Sequence, residues 1–176
     1  FGIFVLITTY VTIVDKILNF QSWQALIKYG AEVLEKKNND SFKSIVKFCT
    51  LLDVATAVLG TIVSIMAASW VGQWLSWESE TVLMAAIYSF VILFNISGTP
   101  TGVLRLFNRF RLFAVQNIVT ATIKFVGILI TYFTGASLWF VPILWMITTI
   151  LGQLLLFGLG WRELHMRGFE GTFMAP

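Results

Sequence analysis

The chain has 176 residues, of which 57% are hydrophobic and 12% are charged, and its mean hydropathy is +0.83. Soluble domains carry about twice that share of charged residues, so the composition predicts an all-α integral membrane protein. A single cysteine, Cys49, excludes an intrachain disulfide, and a single histidine, His165, excludes a zinc site of His and Cys ligands. The net charge of +3 is small and unevenly spread, which indicates membrane topology rather than binding of nucleic acid.

Span A, residues 2–28, opens in an apolar run without a starting methionine. This opening predicts a fragment that begins at a span. An odd number of spans that starts outside fits the loss of one preceding span. We predict one long helix that breaks near Tyr29 and Gly30. Its polar side chains share one side at 100° per residue, and this side should face helices or water rather than lipid. They are Thr8, Thr12, Asp15, Asn19 and Ser22, with Lys16 at the edge.

Span B, residues 43–70, follows a polar loop at residues 31–42. Asp53 shares one side of this helix with small and polar residues, which predicts a buried or cavity-facing carboxylate. Two roles stay open for Asp53, namely a structural ion pair with a cation such as Lys16 or Lys124, and a place in a transport cavity. The residues that share its side of the helix are Thr50, Ala57, Gly60 and Ser64.

Span C, residues 81–104, contains three residues that weaken a helix. They are Gly98, Pro100 and Gly102, and we predict that the helix bends or ends among them. Arg105, Arg109 and Arg111 then give the turn before the next span three positive charges. Two interpretations stay open: an ordinary cytoplasmic turn, and a turn of which part of the charge faces an anionic substrate.

Span D, residues 112–133, carries Lys124 near its middle, where a lysine costs about 2.5–3.5 kcal/mol on insertion scales. Lys124 should therefore either pair with an acid, such as Asp53 or Asp15, or line a water-filled cavity. Its side of the helix is predicted to be polar. The residues on that side are Asn117, Thr120, Lys124, Gly127 and Thr131.

Span E, residues 138–161, leads into a polar tail or linker at residues 162–176, and no separate soluble domain is predicted. Ten of the twelve basic residues lie at three boundaries: between spans A and B, between spans C and D, and after span E. Because cytoplasmic loops are rich in Lys and Arg, the N-terminus of the chain should be periplasmic and its C-terminus cytoplasmic.

No catalytic arrangement is visible in the sequence, which lacks a Ser/His/Asp set, a Cys nucleophile with a nearby His, and a phosphate-binding glycine-rich loop. No cofactor or metal site is expected. Polar faces in four of five spans, with few ionisable residues, favour a transporter cavity over a membrane enzyme.

Three stretches carry a resemblance to a known family. Phe1-Gly2 opens a span, FQSWQALIKYG follows at residues 20–30, and TPTGVLRLFNRF stands at residues 99–110, with a fairly specific L-R-x-x-x-R-F pattern. The sequence resembles the Wzx-type flippases of polysaccharide biosynthesis, in the multidrug/oligosaccharidyl-lipid/polysaccharide exporter superfamily. The resemblance implies a five-span transmembrane helical bundle, spans two to six of a transporter with twelve to fourteen, in its N-terminal lobe. Lys124 departs from the family, which would place an arginine there.

The resemblance implies translocation of undecaprenyl-diphosphate-linked oligosaccharide across the bacterial inner membrane by alternating access. The partners would be this lipid-linked oligosaccharide and membrane lipid, with polysaccharide polymerase and glycosyltransferases, and no nucleic acid. The cavity candidates are Lys16, Asn19, Asp53, Arg105, Asn117 and Lys124, of which Lys16, Lys124 and Arg105 would meet the diphosphate.

Two other functions stay open. In a cation-coupled multidrug exporter of the same superfamily, Asp15 and Asp53 would carry the coupling proton or sodium ion. Alternatively, the charges only pair with one another and the bundle is a scaffold.

Overall fold

The computed structural model describes residues 2–19, 21–96, 98–135, 137 and 139–169. In this part of the chain there are eight helices and no strand, so the all-α class is confirmed. The helices are α1 (Gly2–Leu18), α2 (Ser22–Glu35), α3 (Asn39–Trp74), α4 (Ser79–Tyr88), α5 (Phe90–Leu93), α6 (Gly98–Leu106), α7 (Phe110–Thr134) and α8 (Phe140–Met166).

Five stretches of the described residues are long and apolar enough to cross a membrane, in agreement with the five predicted spans. Helices suit this environment because all their backbone hydrogen bonds are internal. α3, α7 and α8 each form one stretch, whereas the first and third stretches are interrupted. The stretches are Gly2–Glu35, Asn39–Trp74, Ser79–Leu106, Phe110–Thr134 and Phe140–Met166.

The break in the first stretch is not where the sequence predicts it. α1 ends at Leu18 and α2 begins at Ser22, whereas Tyr29 and Gly30 lie inside α2. Gly30 has a packing role, because a β-carbon there would lie 3.2 Å from the ring of Phe42. The glycine therefore permits close packing within the helix and does not end it.

The third stretch is also interrupted before the predicted position. α5 ends at Leu93 and α6 begins at Gly98, so Pro100 is the third residue of a helix. A proline in the first turn removes no intrahelical hydrogen bond, and the segment expected to bend or end a helix begins one instead. Gly102 then packs closely on α2, since a β-carbon there would lie 2.8 Å from Leu26 Cδ2.

The remaining limits differ less from the prediction. α3 and α7 extend a few residues beyond spans B and D at both ends. α8 continues to Met166, so the first residues of the predicted tail are helical. The predicted start of span E, at residue 138, and the tail from residue 170 lie outside the described residues.

The described residues form two compact units. The first takes in residues 2–19, 56–95 and 119–151. In it α1 packs against α4. Its apolar core is Ile7, Val11, Ala68, Ala85, Tyr88, Val91 and Ile92.

The second unit takes in residues 21–55, 96–118 and 152–169. In it α2 packs against α6. Its core is Leu26, Phe42, Val46, Cys49, Val103, Leu164 and Phe169.

Candidate functional site

Asp53 binds the beginnings of two half-helices in the second unit. It lies on the continuous helix α3 and is only 3% exposed. Its Oδ1 accepts a hydrogen bond from Ser22 Oγ at 2.5 Å, and its Oδ2 accepts bonds from the backbone N and the Oγ1 of Thr99, both at 2.7 Å. Ser22 is the first residue of α2 and Thr99 is the second residue of α6. One carboxylate therefore holds both N-terminal ends.

The chemistry of helix ends explains this arrangement. The first turn of a helix leaves backbone N–H groups without partners and carries a partial positive charge. In an apolar environment such groups need an internal acceptor, which Asp53 supplies. Gly98 makes the approach possible, because a β-carbon there would lie 2.5 Å from Ser22 Oγ and 2.8 Å from Asp53 Oδ1.

The sequence predicted a lysine, Lys16 or Lys124, as the partner of Asp53. Within its own unit the carboxylate is bound instead by two hydroxyls and one backbone N–H. Both lysines belong to the first unit, and their pairing with Asp53 stays a prediction.

The first unit contains a second carboxylate beside a break. Asp15 is half-buried on α1 and accepts a hydrogen bond from Asn95 Nδ2 at 2.5 Å. Asn95 lies in the interruption between α5 and α6, and Asn19 follows the last residue of α1. Asn19 is half-buried, and its backbone N donates to the Asp15 carbonyl oxygen at 2.7 Å. Asp15 thus contacts residues at both interruptions.

Lys124 lies against an aromatic ring. It is half-buried on α7, and its Nζ is 4.6 Å from the centre of the Trp145 ring on α8. Such cation–π contacts stabilise a cation by about 0.5–2 kcal/mol, most when water is excluded. The sequence predicted either an acid or a water-filled cavity beside Lys124, and it did not predict contact with an aromatic ring. Lys16, by contrast, is exposed on α1.

At the N-terminal end of α7, the polar residue that faces inward is one position before the predicted one. Asn117 is exposed, whereas Gln116 is buried and donates from Nε2 to the Gly152 carbonyl oxygen at 3.0 Å. Further along, the inward side agrees with the predicted face. Its half-buried members are Thr120, Lys124, Gly127 and Thr131.

The arginines at the turn between α6 and α7 differ in their surroundings. Arg105 is half-buried, and its guanidinium carbon lies 4.5 Å from the centre of the Trp23 ring and 5.6 Å from that of Phe113. Arg109 instead forms an ion pair with Glu163 of α8. Arg111 is exposed.

Glu163 is a buried carboxylate near the end of α8. Its side chain is 6% exposed, and its Oε1 lies 3.1 Å from Arg109 Nε and 2.8 Å from Arg167 Nε. Arg167 also stacks on Phe107, with 4.1 Å between the guanidinium carbon and the ring centre. Part of the positive charge predicted for the turn is therefore neutralised.

Sequence reasoning missed Asn95, Thr99, Trp145 and Glu163. Asn95 had a usable signal, since it is a polar residue that follows the apolar run of α4 and α5 directly. The other three act across long sequence separations, which a single sequence does not reveal. In the described part of the chain no group of three or more His, Cys, Asp or Glu side chains is placed to hold a metal ion.

The fold and these contacts define a multi-pass helical membrane protein with two interrupted spans. Its sequence is similar to the inner membrane protein YghQ of Escherichia coli (strain K12), with 26% identity over 173 residues. The alignment covers 98% of the chain and 49% of YghQ, so the chain spans about half the length of this curated relative. No protein-family model matches the sequence, and no solved structure matches it significantly.

Proposed function

We propose that the chain is part of an inner-membrane transporter, and within that class of a flippase for a lipid-linked oligosaccharide. The observation that carries the proposal is the pair of interrupted spans, whose half-helices α2 and α6 begin at Asp53. Discontinuous helices that meet near the middle of the membrane are typical of substrate and ion sites in secondary transporters. The inner-membrane location rests on the similarity to YghQ.

Two half-buried cations support an anionic substrate such as an undecaprenyl diphosphate. They are Lys124 in the first unit and Arg105 in the second. Lys124 lies within a membrane-spanning helix, where a cation is costly and is a functional candidate for that reason. Arg105 lies next to the last residue of its stretch. Phosphate oxygens form strong, charge-assisted hydrogen bonds with such groups. Exposed Lys16 is a third candidate on α1. The proposal assigns the protein transport and no enzymatic step.

A second candidate is a cation-coupled multidrug exporter of the same superfamily. The observation that favours it is Asp15, a half-buried carboxylate beside both interruptions. A carboxylate in this setting can gain and lose a proton as its surroundings change. Its substrate would be cationic, which makes the two candidates distinguishable by the charge of the transported molecule.

Export by variants of the full-length protein tests the proposal. In a strain that lacks the gene, Lys124→Ala should abolish polysaccharide export and accumulate the lipid-linked intermediate at an unchanged protein level. Lys124→Arg should retain export, because a guanidinium keeps the charge, the contact with Trp145 and the capacity to bind phosphate. Normal export by Lys124→Ala would contradict this role. Loss of resistance to a cationic drug in Asp15→Asn, with normal polysaccharide export, would favour the second candidate.

A further inference from the structure

A groove of about 540 Å³ lies between α2 and α3 in the second unit. Its walls are mostly apolar and include Ala25, Ile45, Phe48 and Leu52, and its floor includes the buried Cys49. The groove is open on one side, where Phe48 is 66% exposed.

The groove extends along about a third of a membrane-spanning stretch. On α2 it runs from Ser22 to Val33, and Ser22 follows the interruption within the stretch Gly2–Glu35. Eleven helical steps of 1.5 Å give a length of about 16 Å. This is roughly half of the ~30 Å apolar core of a bilayer, and therefore about the depth of one leaflet. A single extended hydrocarbon chain that reaches across one leaflet matches the length of this apolar groove.

Lysines flank the end of the groove nearest the loop between α2 and α3. Tyr29 and Glu32 line this end, where Lys28 Nζ lies 5.4 Å from the Tyr29 ring centre and Lys36 Nζ lies 2.8 Å from Glu32 Oε1. The bond with Glu32 raises the pKa of Lys36. It uses one of the three N–H donors of the ammonium, and the other two can bind an anion. Between residues 22 and 52 the chain has five lysines and three acids. The end of the groove is therefore complementary to an anion.

We propose that this groove binds an anionic phospholipid of the membrane. One acyl chain lies against Ala25, Phe48 and Leu52 and points toward Ser22, and the phosphate lies at Lys28 and Lys36. Basic pockets beside membrane-spanning helices are a known form of recognition of anionic headgroups. The proposal stands independently of the transported substrate.

Photo-crosslinking of the full-length protein tests this site. The protein is reconstituted in phosphatidylcholine vesicles that contain a trace of phosphatidylglycerol with a diazirine on one acyl chain, or of phosphatidylcholine with the same chain. Mass spectrometry then locates the attached lipid. The phosphatidylglycerol probe should label the α2 and α3 peptides more strongly, by about fivefold for each lysine engaged.

Two pairs of variants identify the cause of the labelling. Ala25→Phe fills the groove and should abolish it, whereas Ala55→Phe, on an exposed part of α3, should not. Lys28→Gln with Lys36→Gln should remove the preference for phosphatidylglycerol, whereas Lys37→Gln, at an exposed site in the same loop, should keep it.

Three results would overturn the proposal. The first is equal labelling by the two probes, which would indicate lipid bound without regard to charge. The second is undiminished labelling in the folded Ala25→Phe variant, which would place the lipid elsewhere. The third is the absence of label from both helices, which would indicate that another segment of the full-length protein covers the groove.

Discussion

Removal of the Asp53 carboxylate should weaken the second unit substantially. Asp53→Ala leaves three buried donors without their acceptor: the Ser22 hydroxyl, the Thr99 hydroxyl and the Thr99 backbone N–H. An unsatisfied buried donor costs about 1–3 kcal/mol. The two hydroxyls can rotate toward backbone carbonyl oxygens, but the backbone N–H cannot. The variant no longer buries the charge of the carboxylate, and this gain offsets part of the loss of stability.

These contributions give an expected loss of about 3 kcal/mol in the free energy of unfolding. A loss of 1 kcal/mol lowers the melting temperature of a chain of 150–250 residues by about 2–4 °C, and that of a longer chain by less, so Asp53→Ala should melt a few degrees below the wild type. Asp53→Asn should be intermediate, because its amide keeps one acceptor oxygen but directs N–H groups toward donors.

Thermal unfolding of the purified full-length protein, followed by tryptophan fluorescence, measures these differences. Asp40→Ala is the matched control, since Asp40 is exposed in the first turn of the same helix. It should cost only a few tenths of a kcal/mol through the helix dipole. If Asp53→Ala melts together with Asp40→Ala, the carboxylate does not hold the two half-helices and the reasoning is refuted.

The remaining predictions concern the network on α8 and the topology. Glu163→Gln should lower the free energy of unfolding by about 1–2 kcal/mol in the same melting assay, because Arg109 and Arg167 lose a charged partner but are themselves partly exposed; an unchanged melting temperature would contradict this. Single cysteines at residues 74–78 should react with an impermeant maleimide in intact cells and those at residues 36–40 only after permeabilisation, and the reverse pattern would refute the orientation inferred from the basic residues.

The number and type of the spans could be predicted from the sequence, whereas their interruptions could not. Hydropathy is set by the composition of a stretch of many residues, and contacts between the helices hardly change it. The breaks depend on particular contacts. Gly30 looked like an end of a helix, yet it is buried where α2 packs on Phe42. Pro100 looked like an interior kink, yet it lies in a first turn because α6 begins only two residues earlier.

For the candidate site too, the sequence predicted features that depend on neighbouring residues and did not predict contacts with residues far along the chain. Helical periodicity correctly predicted that Asp53 is buried. Its partners lie 31 and 46 residues away and belong to helix starts that the sequence had not revealed. The cost of an intramembrane lysine predicted a partner for Lys124 but favoured an acid or water. An aromatic ring satisfies the same need, and seven tryptophans give no indication of which one is used.

The contacts also decide which cations remain available to an anionic substrate. The N-terminal ends of α2 and α6, which could bind an anion, are already occupied by Asp53. Arg109 donates through its Nε to Glu163, which it shares with Arg167, so its charge is partly balanced. Lys124 and Arg105 are held differently, because an aromatic face attracts a cation without supplying an acceptor atom or an opposite charge. Among the described residues no acid forms an ion pair with either side chain, and N–H donors that do not point at the ring can still bind phosphate oxygens. For this reason the anionic substrate in the flippase proposal is supported by these two residues rather than by the arginine-rich turn as a whole.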